Sequence, residues 1–447
     1  MTDRDIMTSG SVRKKILLFA LPLFLGTLFQ QLYNTVDSII VGNYLGSSAL
    51  AAVTSAGNLI FLVVGFFTGI SVGAGVVISF HIGARDEKKT KEAVHTTAAI
   101  GIAASIMMTA VGVIFAPAVL RLMNTPPEVL PESIIYFRVY FAGAFGLVMY
   151  NTFVAILQAA GDSRSPFFFL LAASGINIVL DLVLIAGFHK GVGAAAFATA
   201  ASQLFCAFLA MMKLLRTEGS TRLVLREIRF YPGLLKRVLH MGLPTGLQNS
   251  IMAFSNVVIQ TYINAFGEQA VAGIGAYTRV EGFVFIPIMG FTMALTTFIS
   301  QNLGAGETRR VREGIRFGIV CTLVSAECLG MLLYILAPEA IGLFDRTPEV
   351  VAYGVARAHY VTPFFFLCAF THIGSSVLRG HGKAVSAMNV SLICWCVVRI
   401  LFLAVLDPVL HTIILTYIVY PITWTISSAV MTVLLIRLLK RPVGQQT

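Results

Sequence analysis

Long runs of apolar residues dominate the chain, and short polar segments separate them. Each run has about 20 residues or more, the length that an α-helix needs to cross the hydrocarbon core of a bilayer. Twelve such runs occur, at residues 16–41, 50–80, 93–119, 136–158, 166–188, 192–212, 238–264, 271–301, 314–338, 354–378, 385–407 and 411–436. The pattern predicts an all-α integral membrane protein with twelve transmembrane helices.

Composition and charge agree with a membrane protein and exclude other classes. Charged residues make up 12% of the 447 residues, about half the share of roughly 25% in soluble domains. Such a chain has too little polar surface to cover a soluble globule. The net charge is +11, but the basic residues lie in short loops and do not alternate with aromatic residues along one surface. We therefore expect no nucleic-acid partner.

The basic residues predict the orientation of the helices. Alternate loops differ sharply, with 24 Lys and Arg residues in one set and three in the other. Cytoplasmic loops of membrane proteins carry the excess of positive charge. The richer set includes both termini, so we expect both termini in the cytoplasm.

The two halves of the chain resemble each other. A single constant offset pairs Gly83-Ala84 with Gly304-Ala305 and Pro127-Glu128-Val129 with Pro348-Glu349-Val350, and a one-residue slip also pairs Pro22 with Pro244. The repeated unit spans six helices, an even number, so the two repeats are parallel. We expect an N-terminal lobe at 1–212, a cytoplasmic linker at 213–237 and a C-terminal lobe at 238–447. Two six-helix bundles that meet at a cleft are typical of a transporter.

Polar residues inside the first span lie on one face of its helix. A charge at the bilayer centre costs roughly 2.5 to 3.5 kcal/mol, so Asp37 is a functional candidate. It shares a stripe with three further residues at helical spacing, namely Gln30, Tyr33 and Asn34. Lipid offers these groups no partner, so the stripe faces protein or water. We expect these three residues to line a cleft.

The fifth and sixth spans add a second carboxylate, an amide and a hydroxyl. Asn177 and Asp181 lie one helical turn apart, and Thr199 lies at a similar depth in the next span. Together with Asp37 they are consistent with a cation site made of oxygen atoms and equally with a carboxyl pair that holds a proton. A purely structural role, with both carboxylates bonded to hydroxyls and backbone, is a third interpretation.

The second half does not repeat this chemistry. With the one-residue slip of the first span, Ile259 stands opposite Asp37, and at the repeat offset itself Phe402 stands opposite Asp181 and Arg399 stands near Asn177. The sequence therefore places the ion site in the N-terminal lobe alone.

The C-terminal half nevertheless keeps polar groups inside its spans. Asn249, Asn256 and Gln260 follow one face of the seventh span, where they either line the cleft or join helices by hydrogen bonds. Glu281 and Arg399 have comparable estimated depths. They either form a structural ion pair or contact the transported compound.

An enzyme is the weakest interpretation. Gly69-Ile70-Ser71-Val72-Gly73 matches a nucleophile pattern, but it lies in the middle of a glycine-rich span, where small-residue helix packing explains it better. No cofactor-binding or nucleotide-binding motif occurs, so energy must come from an ion gradient. A flippase for lipid-linked precursors is the alternative transporter, although we would expect a cationic cleft there to grip pyrophosphate.

The motifs also resemble those of a known family. The matching segments are Leu32-Tyr33-Asn34-Thr35-Val36-Asp37, Gly83-Ala84-Arg85, Gly304-Ala305-Gly306, Gln158-Ala159-Ala160-Gly161-Asp162, Leu378-Arg379-Gly380-His381-Gly382 and Asn177-Ile178-Val179-Leu180-Asp181. With them the chain resembles the MATE (multidrug and toxic compound extrusion) transporters, most closely the bacterial DinF-type and MepA-type branch. The resemblance covers nearly the whole chain.

This resemblance implies a function and roles for several residues. Asp37, Asn177, Asp181 and Thr199 would form the cation or proton site, and Pro22 would mark the point where the first helix bends. The implied activity is export of bulky, often cationic organic compounds or amphiphiles in exchange for H+ or Na+, by alternating access and without a cofactor. We expect a monomer in contact with membrane lipids, in the plasma membrane of a bacterium.

Overall fold

The computed structural model describes residues 7–122 and 127–440, and in these ranges the chain is helical with no β-strand. Fourteen α-helices follow one another: α1 Val12–Gly83, α2 Glu87–Leu122, α3 Leu130–Ala142, α4 Ala144–Ala159, α5 Arg164–Asp181, α6 Val192–Arg216, α7 Pro232–Asn264, α8 Glu268–Gly304, α9 Thr308–Gly342, α10 Pro348–Val361, α11 Phe365–Gly380, α12 Ala384–Val390, α13 Val398–Leu410 and α14 Ile414–Lys440. Short π-helical segments, Leu182–Gly187 and Ser391–Val397, follow α5 and α12. The predicted all-α fold is confirmed.

The first two predicted spans lie in one helix. We expected a loop between residues 41 and 50, but α1 continues from Val12 to Gly83. No proline follows Pro22 before the end of this helix, so no residue in that stretch lacks the backbone N–H that a helix requires. Two segments of α1 are long and apolar enough to span a membrane, Val12–Asp37 and Val63–Gly83.

The remaining predicted spans also fall in helices. Ten helical segments of the described chain meet the requirements for a membrane span, or eleven if α3 and α4, bent by 45° at their junction, form one span. The bend lies at Gly143, where a side chain would overlap Ala200 of α6. The predicted seventh span corresponds to α7, which falls outside the count because amides such as Asn249 and Asn256 lower its mean hydropathy.

The first of two compact units comprises residues 7–9 and Leu21–Gly246. Its apolar core lies between α2, α3, α4 and α6, which pack on one another. Met108, Tyr136, Phe137 and Val148 are among its buried residues.

The start of α7 packs on α1 inside this unit. A side chain on Gly69 would overlap the backbone of Gly246, and a side chain on Gly73 would overlap Gly242. Ser71, between the two glycines, donates a hydrogen bond to the Phe67 carbonyl at 3.3 Å. The prediction that the glycine-serine-glycine segment serves helix packing is confirmed.

The segment between α6 and α7 is tied to α2. The backbone N–H of Val224 donates to Nε2 of His95 at 3.0 Å, and that ring contacts the Lys91 carbonyl through Nδ1 at 2.7 Å. Lys91 also forms a salt bridge with Glu227, at 2.8 Å. This part of the 213–237 segment therefore has a defined position on the first unit.

The second unit comprises Gly10–Ala20 and the chain from Leu247 onward. In it α8 packs against α9, α10 and α11, and α11 packs against α14. A buried cluster that includes Ile259, Ile274, Leu403 and Tyr417 joins α7, α8, α13 and α14.

The internal repeat is visible in matching local geometry. Ser79 donates to the Ala159 carbonyl at 3.5 Å, and Ser300, the equivalent residue of the second half, donates to the Gly380 carbonyl at 3.1 Å. Arg85 and Gly306, which also occupy equivalent positions, both have positive φ, at 54° and 74°. Glycine adopts this conformation without strain, so the second copy has the better-suited residue at this turn.

Candidate functional site

Helices α1 and α5 bring the two predicted carboxylates to one depth. Gly26 of α1 faces Leu170 of α5, and an added Cβ would lie 3.9 Å from that side chain. Asp37 and Asp181 each follow these contact points by eleven residues. Eleven residues of helix rise about 16 Å, so two neighbouring helices running in the same direction carry both carboxylates to the same level.

The carboxyl groups of Asp37 and Asp181 lie close enough to interact electrostatically, and no hydrogen bond joins them among the described residues. As carboxylates both accept hydrogen bonds and neither donates one. The contact therefore requires a proton on one of them or a cation between them.

Several polar atoms of this site have no hydrogen-bond partner in the part of the chain that the structure describes. Asp181 is fully buried and Asn177 is 1% exposed. Both oxygens of Asp181, one oxygen of Asp37 and both amide atoms of Asn177 have no hydrogen-bond partner among the described residues. Buried polar atoms are normally paired, so this cluster has the composition of a site for an ion or a proton.

Thr199 shares a pocket with Asn177 and Tyr33. The empty space there is about 200 Å³, of which about 10 Å³ is accessible to the centre of a water molecule. That is close to the minimum for one water and far too small for an organic cargo. Thr199 donates its hydroxyl hydrogen to the Ala195 carbonyl at 3.1 Å and keeps oxygen lone pairs for an ion.

The other residues predicted on the first span occupy different environments. Tyr33 is half-buried and interacts with the side chains of Gln30 and Gln203. Gln30 and Asn34 have exposed side chains. Pro22 lies inside α1, where its missing N–H leaves one helical hydrogen bond unmade.

Several polar residues near the carboxylates were not predicted from the sequence. Tyr136 of α3 is 6% exposed and interacts electrostatically with both Asp37 and Asp181. Gln203 of α6 lines the same pocket as Thr199. A pair of tyrosines at positions i and i+4, Tyr136 and Tyr140, was the signal that could have pointed to α3.

The equivalent positions of the second unit are apolar. Ile259, which stands opposite Asp37, is 1% exposed and belongs to the buried cluster, and Phe402, opposite Asp181, packs against that cluster. These positions have the character of a hydrophobic core.

The C-terminal charges form a different arrangement. Glu281 accepts a hydrogen bond from the Tyr277 hydroxyl at 3.0 Å. Its strongest charged neighbour is Arg357, ahead of the predicted partner Arg399. Both guanidinium groups lie over the Tyr420 ring, Arg357 at 4.8 Å and Arg399 at 4.5 Å from its centroid. Arg357 Nε and Nη1 and Arg399 Nε have no acceptor among the described residues.

On α7, two residues that were not among the predicted amides form hydrogen bonds with the Ser391–Val397 segment. Gln248 donates to Ser391 Oγ at 2.7 Å, and Ser255 donates to the Trp395 carbonyl at 2.6 Å. Asn256 and Gln260 have exposed side chains, and Asn249 is half-buried. Gln260 donates to Asn264 one turn later, at 2.9 Å.

Comparison with known proteins identifies the family. The MatE family model matches twice, at residues 22–183 and 244–405, one copy in each half of the chain, so the internal repeat is confirmed. The chain is 30% identical to the probable multidrug resistance protein YoeA of Bacillus subtilis over 83% of this chain and 82% of that protein. It is 26% identical to a FAD transporter of Shewanella oneidensis over 91% and 90% of the two chains.

A solved structure shares the fold. A MOP superfamily transporter from Pyrococcus furiosus superposes with a TM-score of 0.92 at 23% identity, covering 99% of this chain and 100% of that one. With ten apolar helices of spanning length, the chain is a multi-pass membrane protein. The two family matches together cover most of its length, and the chain belongs to the MatE family of membrane transporters.

Proposed function

We propose that this protein exports bulky organic compounds across the bacterial plasma membrane in exchange for H+ or Na+. The observation that carries the proposal is the cluster of Asp37, Asn177 and Asp181, whose buried polar atoms lack protein partners among the described residues. In this scheme the coupling ion binds between the two carboxylates, with Thr199 as a further oxygen ligand.

The coupling follows from the charge of the site. Two ionised carboxylates close together repel each other, and this repulsion is strong in a low-dielectric surrounding. Binding of one proton or one Na+ lowers the charge of the site from −2 to −1 and offsets the repulsion between the carboxylates, so the occupied and empty states favour different helix arrangements. We propose that α1 bends at Pro22 when the helices change between these arrangements. The two lobes then open alternately to the two sides of the membrane. In this scheme both termini lie in the cytoplasm.

The electrical balance limits what one ion can drive. At 100 mV each net charge that crosses the membrane contributes about 2.3 kcal/mol. Exchange of one H+ or Na+ for one monovalent organic cation moves no net charge, so only the ion concentration gradient drives it. With a neutral cargo or a second coupling ion, net charge crosses the membrane, so the membrane potential also drives the exchange.

Two observations bear on the cargo. Relatives such as YoeA are named as probable multidrug resistance proteins, which supports organic cations or amphiphiles as cargo. A second candidate class is anionic compounds, because Arg357 and Arg399 hold buried N–H groups without acceptors among the described residues and a relative is named as a FAD transporter.

The test is transport in proteoliposomes under an imposed pH gradient or an imposed Na+ gradient, with ethidium as cation and FAD as anion. Wild type is compared with Asp37→Asn, Asp181→Asn and the control Asp407→Asn, which changes a carboxylate near the end of α13. We expect gradient-driven transport in wild type and control and none in the two site variants. Undiminished gradient-driven transport by both site variants would reject the proposed coupling site.

A further inference from the structure

A large basic pocket lies in the second unit. Its volume is about 860 Å³, and the first turns of α1 and α9 supply its walls. Its charged lining consists of Arg13, Arg309, Arg312, Arg316 and Glu313. Four guanidinium groups against one carboxylate leave a net charge of +3.

In the part of the chain that the structure describes, no acidic side chain forms a salt bridge with these arginines. The four arginine side chains of the pocket are exposed, and among the described residues none of them forms a salt bridge with Glu313. The pocket also lies at the start of α9, where the helix dipole adds positive potential. Clustered like charges at this density favour an anionic ligand.

The walls of the pocket are held together by a neighbouring arginine. Arg310 donates from Nη1 to the Gly10 carbonyl at 2.6 Å and from Nε to Asn302 Oδ1 at 2.9 Å. This residue thereby joins the segment before α1 to the end of α8. The position of Arg13 opposite α9 is thus fixed by contacts inside the unit.

An exposed apolar surface continues from the basic pocket. On α9 the sequence passes at four-residue steps from Arg312 and Arg316 to Val320 and Val324, which are 60% and 57% exposed. On α1 Leu17, 45% exposed, follows Arg13 by one turn. Residues four apart share a helix face, so each wall changes from basic to apolar along one face.

We propose that this pocket binds the headgroup of an anionic phospholipid, with an acyl chain along Val320 and Val324. A phosphate group with glycerol or a second phosphate fits the volume and the charge. Basic pockets at the membrane surface recognise such headgroups. A soluble anion would use the arginines alone and would gain nothing from the exposed valines.

The test measures lipid binding to the purified, delipidated protein. Short-chain phosphatidylglycerol is titrated and bound lipid is counted by native mass spectrometry, with phosphatidylcholine of the same chain length as the neutral comparison. The variant Arg312→Gln/Arg316→Gln removes two pocket charges. Arg222→Gln/Arg226→Gln, exposed and outside the pocket, removes the same charge elsewhere.

We expect the pocket variant to bind phosphatidylglycerol roughly thirtyfold more weakly, while the control variant and phosphatidylcholine binding stay unchanged. Val320→Asn should weaken lipid binding without changing the binding of soluble glycerophosphoglycerol. Equal losses in pocket and control variants would overturn the proposal. So would phosphatidylcholine binding as tight as that of phosphatidylglycerol, or displacement of the lipid by inorganic phosphate at similar concentration.

Discussion

Two aspartates at the ends of α5 differ in their hydrogen bonds. Asp162, just before the helix, accepts from the backbone N–H groups of Arg164 and Ser165 and from the Ser165 hydroxyl, at 2.6–3.1 Å. Asp181, at the other end, is fully buried and accepts nothing from the described residues. A helix cap explains the first carboxylate, whereas the second needs an ion or a proton.

A first prediction concerns the buried charges of the second unit. Glu281→Gln keeps the shape of the side chain but removes the acidic neighbour of Arg357 and Arg399. The change leaves two buried guanidinium groups without this acidic neighbour, so the variant should unfold at a lower temperature. The measurement is thermal unfolding in detergent, with exposed Glu339→Gln as control. Equal melting temperatures for the two variants would contradict a structural role for Glu281.

At the residue scale, the sequence singled out two ionisable residues inside the spans and missed several residues that lie near such groups. Asp37 and Asp181 stood out because an ionisable residue in a span has few explanations. Gln203 and Tyr136 gave no such signal, since neutral polar residues are common in helices. Arg357 was missed as the stronger neighbour of Glu281 because depth along a helix, read from span midpoints, is uncertain by about one turn.

At the scale of elements, close helix packing depends on a few glycines. Gly69 and Gly73 of α1 let the backbone of α7 approach so closely that a Cβ would overlap it. Small residues allow this type of contact between membrane helices.

Gly69→Ala should therefore destabilise the protein. Overpacking typically costs about 1 to 3 kcal/mol, and the neighbouring atoms are backbone, which cannot rotate away. Gly275→Ala is the matched control, because nothing lies within 4 Å of the added carbon. Thermal unfolding should show a loss for Gly69→Ala and no loss for Gly275→Ala. A stable Gly69→Ala protein would show that the two helices separate easily.

The contact between the 213–237 segment and α2 should depend on pH. A hydrogen bond from Lys91 holds the pKa of Glu227 below its usual range. The contact is therefore present at pH values above the ordinary glutamate pKa and is lost as pH falls through the lowered value. Spin labels at residues 88 and 218 would report one distance near neutral pH and a broader distribution in acid.

Glu227→Gln supplies the comparison for this pH effect. It removes the charge at every pH, so the broad distribution should already be present at neutral pH. An unchanged distance in this variant would mean that the His95 and Thr96 contacts alone hold the segment.

Element boundaries were less predictable than element type. Apolar runs predicted helices correctly, but the continuity of α1 through residues 42–49 was missed because glycine and serine suggested a loop. Glycine only weakens a helix, by about 1 kcal/mol relative to alanine, whereas proline breaks it. The amides of α7 lower its mean hydropathy, but they do not interrupt the helix.

At the scale of the whole molecule, one repeated frame carries two different interiors. The serine-to-carbonyl bonds of Ser79 and Ser300 occur in both halves. The carboxylates of the first half are replaced by Ile259 and Phe402 in the apolar cluster of the second. The frame was predictable because glycine and proline positions repeat. The proposed ion site stood out in the sequence because its carboxylates do not repeat.

The most direct test of the proposed coupling site is the release of ions when cargo binds to the purified protein. A pH indicator and a Na+ indicator are read while ethidium is added to wild type, Asp37→Asn/Asp181→Asn and Asp407→Asn in weakly buffered detergent solution. We predict release of H+ or of Na+ by wild type and by Asp407→Asn, and none by the double variant. Undiminished release by the double variant, with ethidium still bound, would show that Asp37 and Asp181 do not hold the coupling ion.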